Sequence, residues 1–252
     1  MTPSTVPNSA PLDRTRFAED GYLVLPKIVP PATITRLRAE ADAALTGMLD
    51  TMAHERVTDP RLTWWRLPSG RLYVLKIKSV MDLAPTAAAL ATGPLLRQVT
   101  TGLLGSAAQM IDSKFMYKQT VDVPAVWADL PVLGEEVCKH TDAAYYQAKG
   151  HDRVVTVAFC LDDCTPTAGA LKVWPGTHHR DIAMIVTPRQ GPVVPDDIAP
   201  DSRAVALLAP AGSMLVWDSA LVHASGPNES GHPRRLLVLG YAATASAGGG
   251  TP

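Results

Sequence analysis

From Arg71 onward the chain is cut into short apolar runs by Pro, Gly and acidic turns. The runs are RLYVLKIK, AQMIDSKFMYKQ, VVTVAFCLDD, GALKVWPG, AVALLAP, SMLVWDS and RRLLVLGYAA. Segments of this length, rich in Val, Leu and aromatic residues and bounded by turn formers, read as strands. So many of them, with so little between them, predict an antiparallel sandwich or barrel. In RLYVLKIK strict alternation places Tyr73, Leu75 and Ile77 on one face and Leu72, Val74, Lys76 and Lys78 on the other.

Helical signals come first and the strands follow. Phe17 to Asp20 start a short helix that Gly21 ends, and Tyr22 to Leu25 continue as a strand. Pro30 and Pro31 precede a helix with Ile34, Leu37, Ala41 and Leu45 at helical spacing. PTAAALATGPLLRQVTTGLLG is helical and is punctuated at Gly93–Pro94. The expected class is therefore mainly β with flanking helices, a double-stranded β-helix (jelly roll, cupin-like). Neither a repeat nor a long linker is visible. One domain over 14–243 is expected, with a disordered start at 1–13 and a flexible tail at 244–252. Two stretches lack a regular pattern, Gln119 to Val137 and Val186 to Ser202, and read as lids or binding loops.

A net charge of −1 argues against a broad nucleic-acid surface. No apolar run approaches the ~20 residues of a membrane span. No secretory signal is visible in MTPSTVPNSAPLDR, so the expectation is a soluble, cytoplasmic protein acting on a small molecule, with its oligomeric state left open. Cys138, Cys160 and Cys164 form no disulfide framework and lack zinc-finger spacing; they read as reduced, mostly buried thiols.

Of seven histidines, His140 and His223 stand out by their setting. His140 lies two residues before Asp142 in KHTDAAYY. In an extended segment those two side chains share a side and can bind one ion. His223 follows the apolar stretch SMLVWDSALV, and a metal joining it to the first pair would staple one sheet to another. Two imidazoles and a carboxylate on one face are the ligand set of non-haem Fe(II) oxygenases, with positions left open for cosubstrate and O2. A hydrolytic zinc site is the rival from spacing alone. Arg234 lies eleven residues after His223, beyond a turn, where a guanidinium could clamp a carboxylate. Arg235 competes with it, but the two point to opposite faces of a strand.

With these residues in place, the sequence resembles the phytanoyl-CoA dioxygenase family of Fe(II)/2-oxoglutarate oxygenases. FAEDGYLVL, HTD, GALKVWPGTHH and HASGPNESGHPRR carry the resemblance, in that order, from about Phe17 to Ala243. It implies iron ligands His140, Asp142 and His223. It also implies Arg234 on the distal carboxylate of 2-oxoglutarate, Thr156 assisting it, and Lys114 or Lys118 touching the cosubstrate. His178 and His179 fall at a turn or at the substrate rim. The presence of Asp142 argues against a halogenase, whose site lacks the carboxylate. The implied reaction begins with hydrogen abstraction from the substrate and leads to hydroxylation, desaturation, cyclisation or epimerisation. Trp64, Trp65, Trp127, Tyr145 and Tyr146, with Met116, are the expected substrate lining. They suit a sizeable, largely apolar molecule such as a bacterial polyketide-like natural product. A His/His/Asp metallohydrolase and a non-catalytic jelly-roll binding protein are the alternatives.

Overall fold

In the computed structural model the described residues are 12–67, 70, 72–120, 137–187 and 191–244. Helix α1 (Arg14–Asp20) is capped by Asp13, whose carboxylate accepts from Arg16 N at 2.9 Å. Leu12 packs on the core ahead of this helix. Gly21, at φ +83°, ends the helix and turns the chain into β1 (Tyr22–Leu25). Helix α2 (Pro31–Glu55) has proline at its first position, where the missing N–H is harmless. It buries Ile34, Leu37, Ala41, Ala44 and Met48; the expected Leu45 lies at the edge of that face and is only partly buried. Gly93 and Pro94 divide the next helical stretch into α3 (Pro85–Ala91) and α4 (Pro94–Leu104).

The remaining strands are β2 (Leu62–Arg66), β3 (Leu72–Lys78), β4 (Ala108–Lys118), β5 (Val137–His140), β6 (Val154–Cys160), β7 (Leu171–Val173), β8 (Ile185–Thr187), β9 (Gly191–Val193), β10 (Val205–Ala206), β11 (Met214–Asp218), β12 (His223–Ser225) and β13 (Arg234–Ala243). A seven-stranded sheet has the order β1-β11-β6-β13-β4-β3-β2, and a four-stranded sheet has the order β10-β7-β12-β5. Their pairings are antiparallel throughout. This is the expected jelly roll. Val157, Phe159, Val216, Leu237 and Leu239 face the helices and form the main core. The alternate residues Ala158, Cys160, Leu215, Leu236 and Val238 face the small sheet. All seven residues of β6 are buried because both of its faces are covered.

Strands β2, β5, β8, β9 and β12 were not anticipated. They are three to five residues long, too short for alternation to show. The supposed loop Val186–Ser202 contains most of the β8–β9 hairpin, and AVALLAP contributes only the two residues of β10. The alternation expected in β3 fails at one point. Its pairing with β2 skips Leu75, since Thr63 opposes Lys76 and Trp64 opposes Val74. This β-bulge puts Leu75 and Lys76 on the cavity side, while Val74 and Ile77 face the core. Most of the expected lid 119–137, including Trp127, lies outside the described residues, as do 1–11 and 245–252. Among the described residues no helix is long and apolar enough to cross a membrane.

Candidate active site

The two imidazoles meet because His223 of β12 is the cross-strand partner of His140 at the end of β5. Their ring centroids are 4.2 Å apart. Both histidines therefore stand in the small sheet as neighbours, and a metal between them would not staple one sheet to the other. The stretch SMLVWDSALV bends after β11, with Leu221 N donating to Asp218 O at 2.9 Å, so His223 opens a new strand in the other layer. The PGTH segment fixes this position. Thr177 Oγ1 accepts from Val222 N at 3.0 Å, and Trp174 N donates to Val222 O.

Asp142 joins the histidines by a different route from the one expected. The chain leaves β5 at His140, and Asp142 is already helical (φ −79°, ψ −15°), at the start of α5 (Ala143–Gln147). Ala143 N donates to Ser219 O at 2.9 Å and anchors that turn beside His223. The Asp142 carboxylate lies 3.8 Å from His140 Nε2 and 3.7 Å from His223 Nε2. One ligand atom from each of the three residues lies within 4.8 Å of the others. His140 Nδ1 meets Cys138 O at 2.8 Å and His223 Nδ1 meets Leu221 O at 3.0 Å, which leaves both Nε2 atoms turned to the shared centre. Burial, with a contribution from His223, pushes His140 down to about 4, so its ring is neutral near pH 7. Burial pushes the Asp142 carboxyl up, but His223, Lys114 and His140 together outweigh it and hold it below the usual range.

Thr156 belongs to this end of the site. Its hydroxyl donates to Asp142 Oδ2 at 3.5 Å, and in the sheet it pairs with Gly240, six residues along β13 from Arg234. At about 3.4 Å per residue that is roughly 20 Å along the strand. The contact that Thr156 makes here is with Asp142, not with Arg234. Tyr146 is not among the residues that line the cavity. It is fully buried against Val154 and Ala242, and its hydroxyl reaches Asp112 at 3.3 Å over the bare Gly240. On helix α5 successive side chains diverge, so Tyr145 faces the cavity and Tyr146 the core. Trp65 packs on Tyr73 at 6.5 Å and Trp64 on the main core, so neither lines the cavity.

Arg234 and Arg235 separate as the strand pleat requires. Arg235 is bound to Asp162 at 2.8 Å and Asp42 at 2.6 Å on the helix side. Arg234 is buried on the cavity side and donates to Gly169 O at 2.8 Å and Ala168 O at 3.5 Å. The turn before it is tied by Asn228, whose amide donates to Lys118 O and His232 O, both at 2.7 Å. Lys118 pairs with Arg234 across the sheet and donates to Ser225 Oγ at 2.8 Å. Lys114 is ion-paired to Asp112 at 3.0 Å. Both lysines line the cavity. His178 stacks on His179 and meets Ala18 O at 3.1 Å over Gly21, tying a turn to α1.

A cavity of about 540 Å³ joins these groups. Its apolar wall includes the expected Met116 and Tyr145, with Leu75, Val137, Met184 and Trp217 beside them. Sequence reasoning missed Lys76, which the bulge turns into this cavity. No pattern in RLYVLKIK marks that bulge.

The donor set fits a divalent transition metal held by two imidazoles and one carboxylate. The Arg234 end fits a carboxylate, because among the described residues its buried guanidinium meets only main-chain carbonyls. Trp217 Nε1, buried on the cavity wall near His223, has no partner among the described residues and is a further free donor.

The family model for phytanoyl-CoA dioxygenase (PhyH) matches residues 17–236. The chain is 26% identical to L-proline trans-4-hydroxylase from Streptomyces griseoviridis, over 92% of this chain and 87% of that protein. The crystal structure of AviO1 from Streptomyces viridochromogenes Tue57 superposes with a TM-score of 0.68 at 25% identity, covering 94% of this chain and 98% of AviO1. The carbocyclase SnoK from nogalamycin biosynthesis, a non-haem α-ketoglutarate-dependent enzyme, superposes with a TM-score of 0.67 at 18% identity. It covers 96% of this chain and 87% of its own, a likeness of fold.

Proposed function

The chain belongs to the phytanoyl-CoA dioxygenase family, and from that premise we propose that it is an Fe(II)/2-oxoglutarate-dependent dioxygenase acting on a small molecule at the His140–Asp142–His223 centre. The observation that carries the reading is the coincidence of three converging ligand atoms with a buried, carboxylate-free arginine in one cavity. His140, Asp142 and His223 would hold the iron, and Arg234 would hold the distal carboxylate of 2-oxoglutarate. When bound, that pair supplies O2 activation coupled to oxidative decarboxylation of the cosubstrate, and with it the power to remove hydrogen from carbon.

The chain's own residues do the positioning. Cys138 O and Leu221 O set the two imidazole rings. Thr156 fixes one carboxylate oxygen of Asp142. Gly169 O and Ala168 O aim Arg234, and the Asn228 turn brings it inward. Met116, Leu75, Val137 and Met184 keep water from one side of the reacting carbon. The outcome is set by which hydrogen faces the centre, and hydroxylation, cyclisation and epimerisation all share this first step. The apolar wall supports an apolar portion in the substrate, in line with tailoring of a bacterial natural product. A hydrolytic metal site would leave Arg234 without a task.

The test is consumption of 2-oxoglutarate with succinate formation in the presence of Fe(II) and O2. The expected result is slow, uncoupled turnover by the wild type that disappears in Asp142→Ala. Equal turnover by the two proteins would contradict the assignment of the centre.

A further inference from the structure

The mechanism above uses the Arg234 end of the cavity and leaves a second cationic group unexplained. The bulge at Leu75 turns Lys76 into the cavity beside Lys114. In the β3–β4 ladder Lys76 pairs with Met116 and Lys78 with Lys114, so three ammonium groups crowd one face of two strands. Like charges directly opposite each other across a sheet are unfavourable. Two carboxylates face them. Asp112 is committed to Lys114 at 3.0 Å, and Asp142 belongs to the metal centre. Lys76 is left with no hydrogen bond or ion pair among the described residues. An unpaired, largely desolvated charge costs free energy unless a ligand compensates it. Its position on a cavity wall, where one lysine already spends its charge on an aspartate, fits an incoming anion.

The cosubstrate does not supply that anion. Lys76 pairs with Met116 and Met116 with Leu236, so Lys76 stands two strands away from Arg234 and two residues further along. At about 4.8 Å between strands and 3.4 Å per residue that is roughly 12 Å between the two backbone positions. A dicarboxylate held at Arg234 and at the metal leaves the Lys76 end uncompensated. The surface between the two ends is Met116, with Leu75 and Val137 beside it.

We infer that Lys76, supported by Lys114, is the anion-binding subsite for the substrate, which carries a carboxylate on an otherwise apolar body. This inference rests on the oxygenase reading and deepens it. It replaces a wholly apolar substrate by an amphiphilic one. The carboxylate docks against Lys76, and the apolar part lies along Leu75, Met116 and Val137. This arrangement presents a carbon of the apolar body to the His140–Asp142–His223 centre.

The experiment uses the full chain loaded anaerobically with Fe(II) and saturating 2-oxoglutarate. Straight-chain carboxylates from butanoate to decanoate, and their primary amides, are titrated by calorimetry. The visible band of the iron–oxoglutarate chelate is followed in the same samples. In the wild type at least one carboxylate is expected to bind roughly 10-fold more tightly than its own amide, the worth of one charge-assisted contact. Lys76→Gln should erase that preference and Lys76→Arg should retain it, with the 2-oxoglutarate midpoint of both variants close to wild type. Three results overturn the inference. One is that no carboxylate outbinds its amide in a protein with an intact chelate band. Another is a preference that survives Lys76→Gln. The third is a loss of preference matched by an equal loss of 2-oxoglutarate affinity, which would give Lys76 to the cosubstrate. Absence of the band in the wild type would instead remove the oxygenase reading, and this inference with it.

Discussion

Gly169→Ala is expected to disable the cosubstrate site from a position that makes no side-chain contact of its own. Gly169 lies at φ +66°, where an L residue costs about 1–2 kcal/mol. A Cβ built there would sit 2.3 Å from Gly226 O, 2.6 Å from Pro227 O and 2.9 Å from Lys118 Cδ. The nearest contact is about 1 Å short of the 3.4 Å of ordinary packing. Two of the three neighbours are main-chain atoms that cannot swing aside, so the strain falls on the backbone, at about 1–3 kcal/mol for overpacking. The Gly169 carbonyl accepts from Arg234 Nη2 at 2.8 Å, and Lys118 flanks that arginine across the sheet. A backbone shift of about 1 Å breaks that hydrogen bond and turns the guanidinium from its carboxylate. The lost charge-assisted contact is worth about 1.5–3 kcal/mol. That corresponds to a 2-oxoglutarate affinity lowered roughly 10- to 150-fold. The combined strain of about 2–5 kcal/mol lowers the midpoint of thermal unfolding by about 4–20 °C in a domain of this size. Titration of the chelate band measures the first quantity and calorimetric melting the second. A Gly169→Ala protein with wild-type affinity and wild-type melting would refute the reasoning, because it would show that the segment 168–169 adjusts without moving Arg234.

Arg234→Ala should raise the 2-oxoglutarate requirement by roughly 10- to 1,000-fold, since the whole bidentate contact is lost. Arg235→Ala should leave that requirement unchanged and lower the melting temperature, because its partners are Asp162 and Asp42; a swapped pattern would reverse the assignment of the pair. In the metal-free protein the His140 ring, followed by NMR, should take up its proton only as the pH approaches about 4, because burial and His223 disfavour its charged form. A midpoint near the ordinary histidine range would show that the ring is not desolvated. Tyr145→Ala should weaken binding of the substrate, or of the carboxylate probes, and leave the fold intact. Tyr146→Ala should lower the melting temperature, since it empties a buried site against Val154 and Ala242.

The metal centre was legible in the sequence because its residues are chemically unusual in combination, and spacing alone brought His140, Asp142 and His223 together. The reason given by spacing was nevertheless wrong in detail. Asp142 does not continue the extended segment of His140; it opens α5, and the two histidines meet as cross-strand partners in one sheet. Strand β12 is only three residues long, and no periodicity can announce an element that short. That only one of Arg234 and Arg235 could face inward was legible, since adjacent residues of a strand face opposite ways; the choice of Arg234 came from the family resemblance. Lys76 was hidden by the regularity of RLYVLKIK. The bulge that redirects it comes from pairing with β2, a contact between segments that local pattern does not encode. The tyrosine pair was half legible: two neighbours on a short helix cannot share a face, and burial decides which one faces the core. Thr156 was expected beside Arg234; its contact with Asp142 follows from a register against β13 that a single strand does not reveal.

The central claim is that one iron ion, held by His140, Asp142 and His223, binds 2-oxoglutarate beside Arg234. The most direct measurement is an anaerobic titration of the Fe(II)-loaded protein with 2-oxoglutarate, recorded as visible absorption. The account predicts a weak charge-transfer band that saturates at one cosubstrate per chain in the wild type and is lost in Asp142→Ala. A wild-type protein without the band, or an Asp142→Ala protein with the full band, would contradict it.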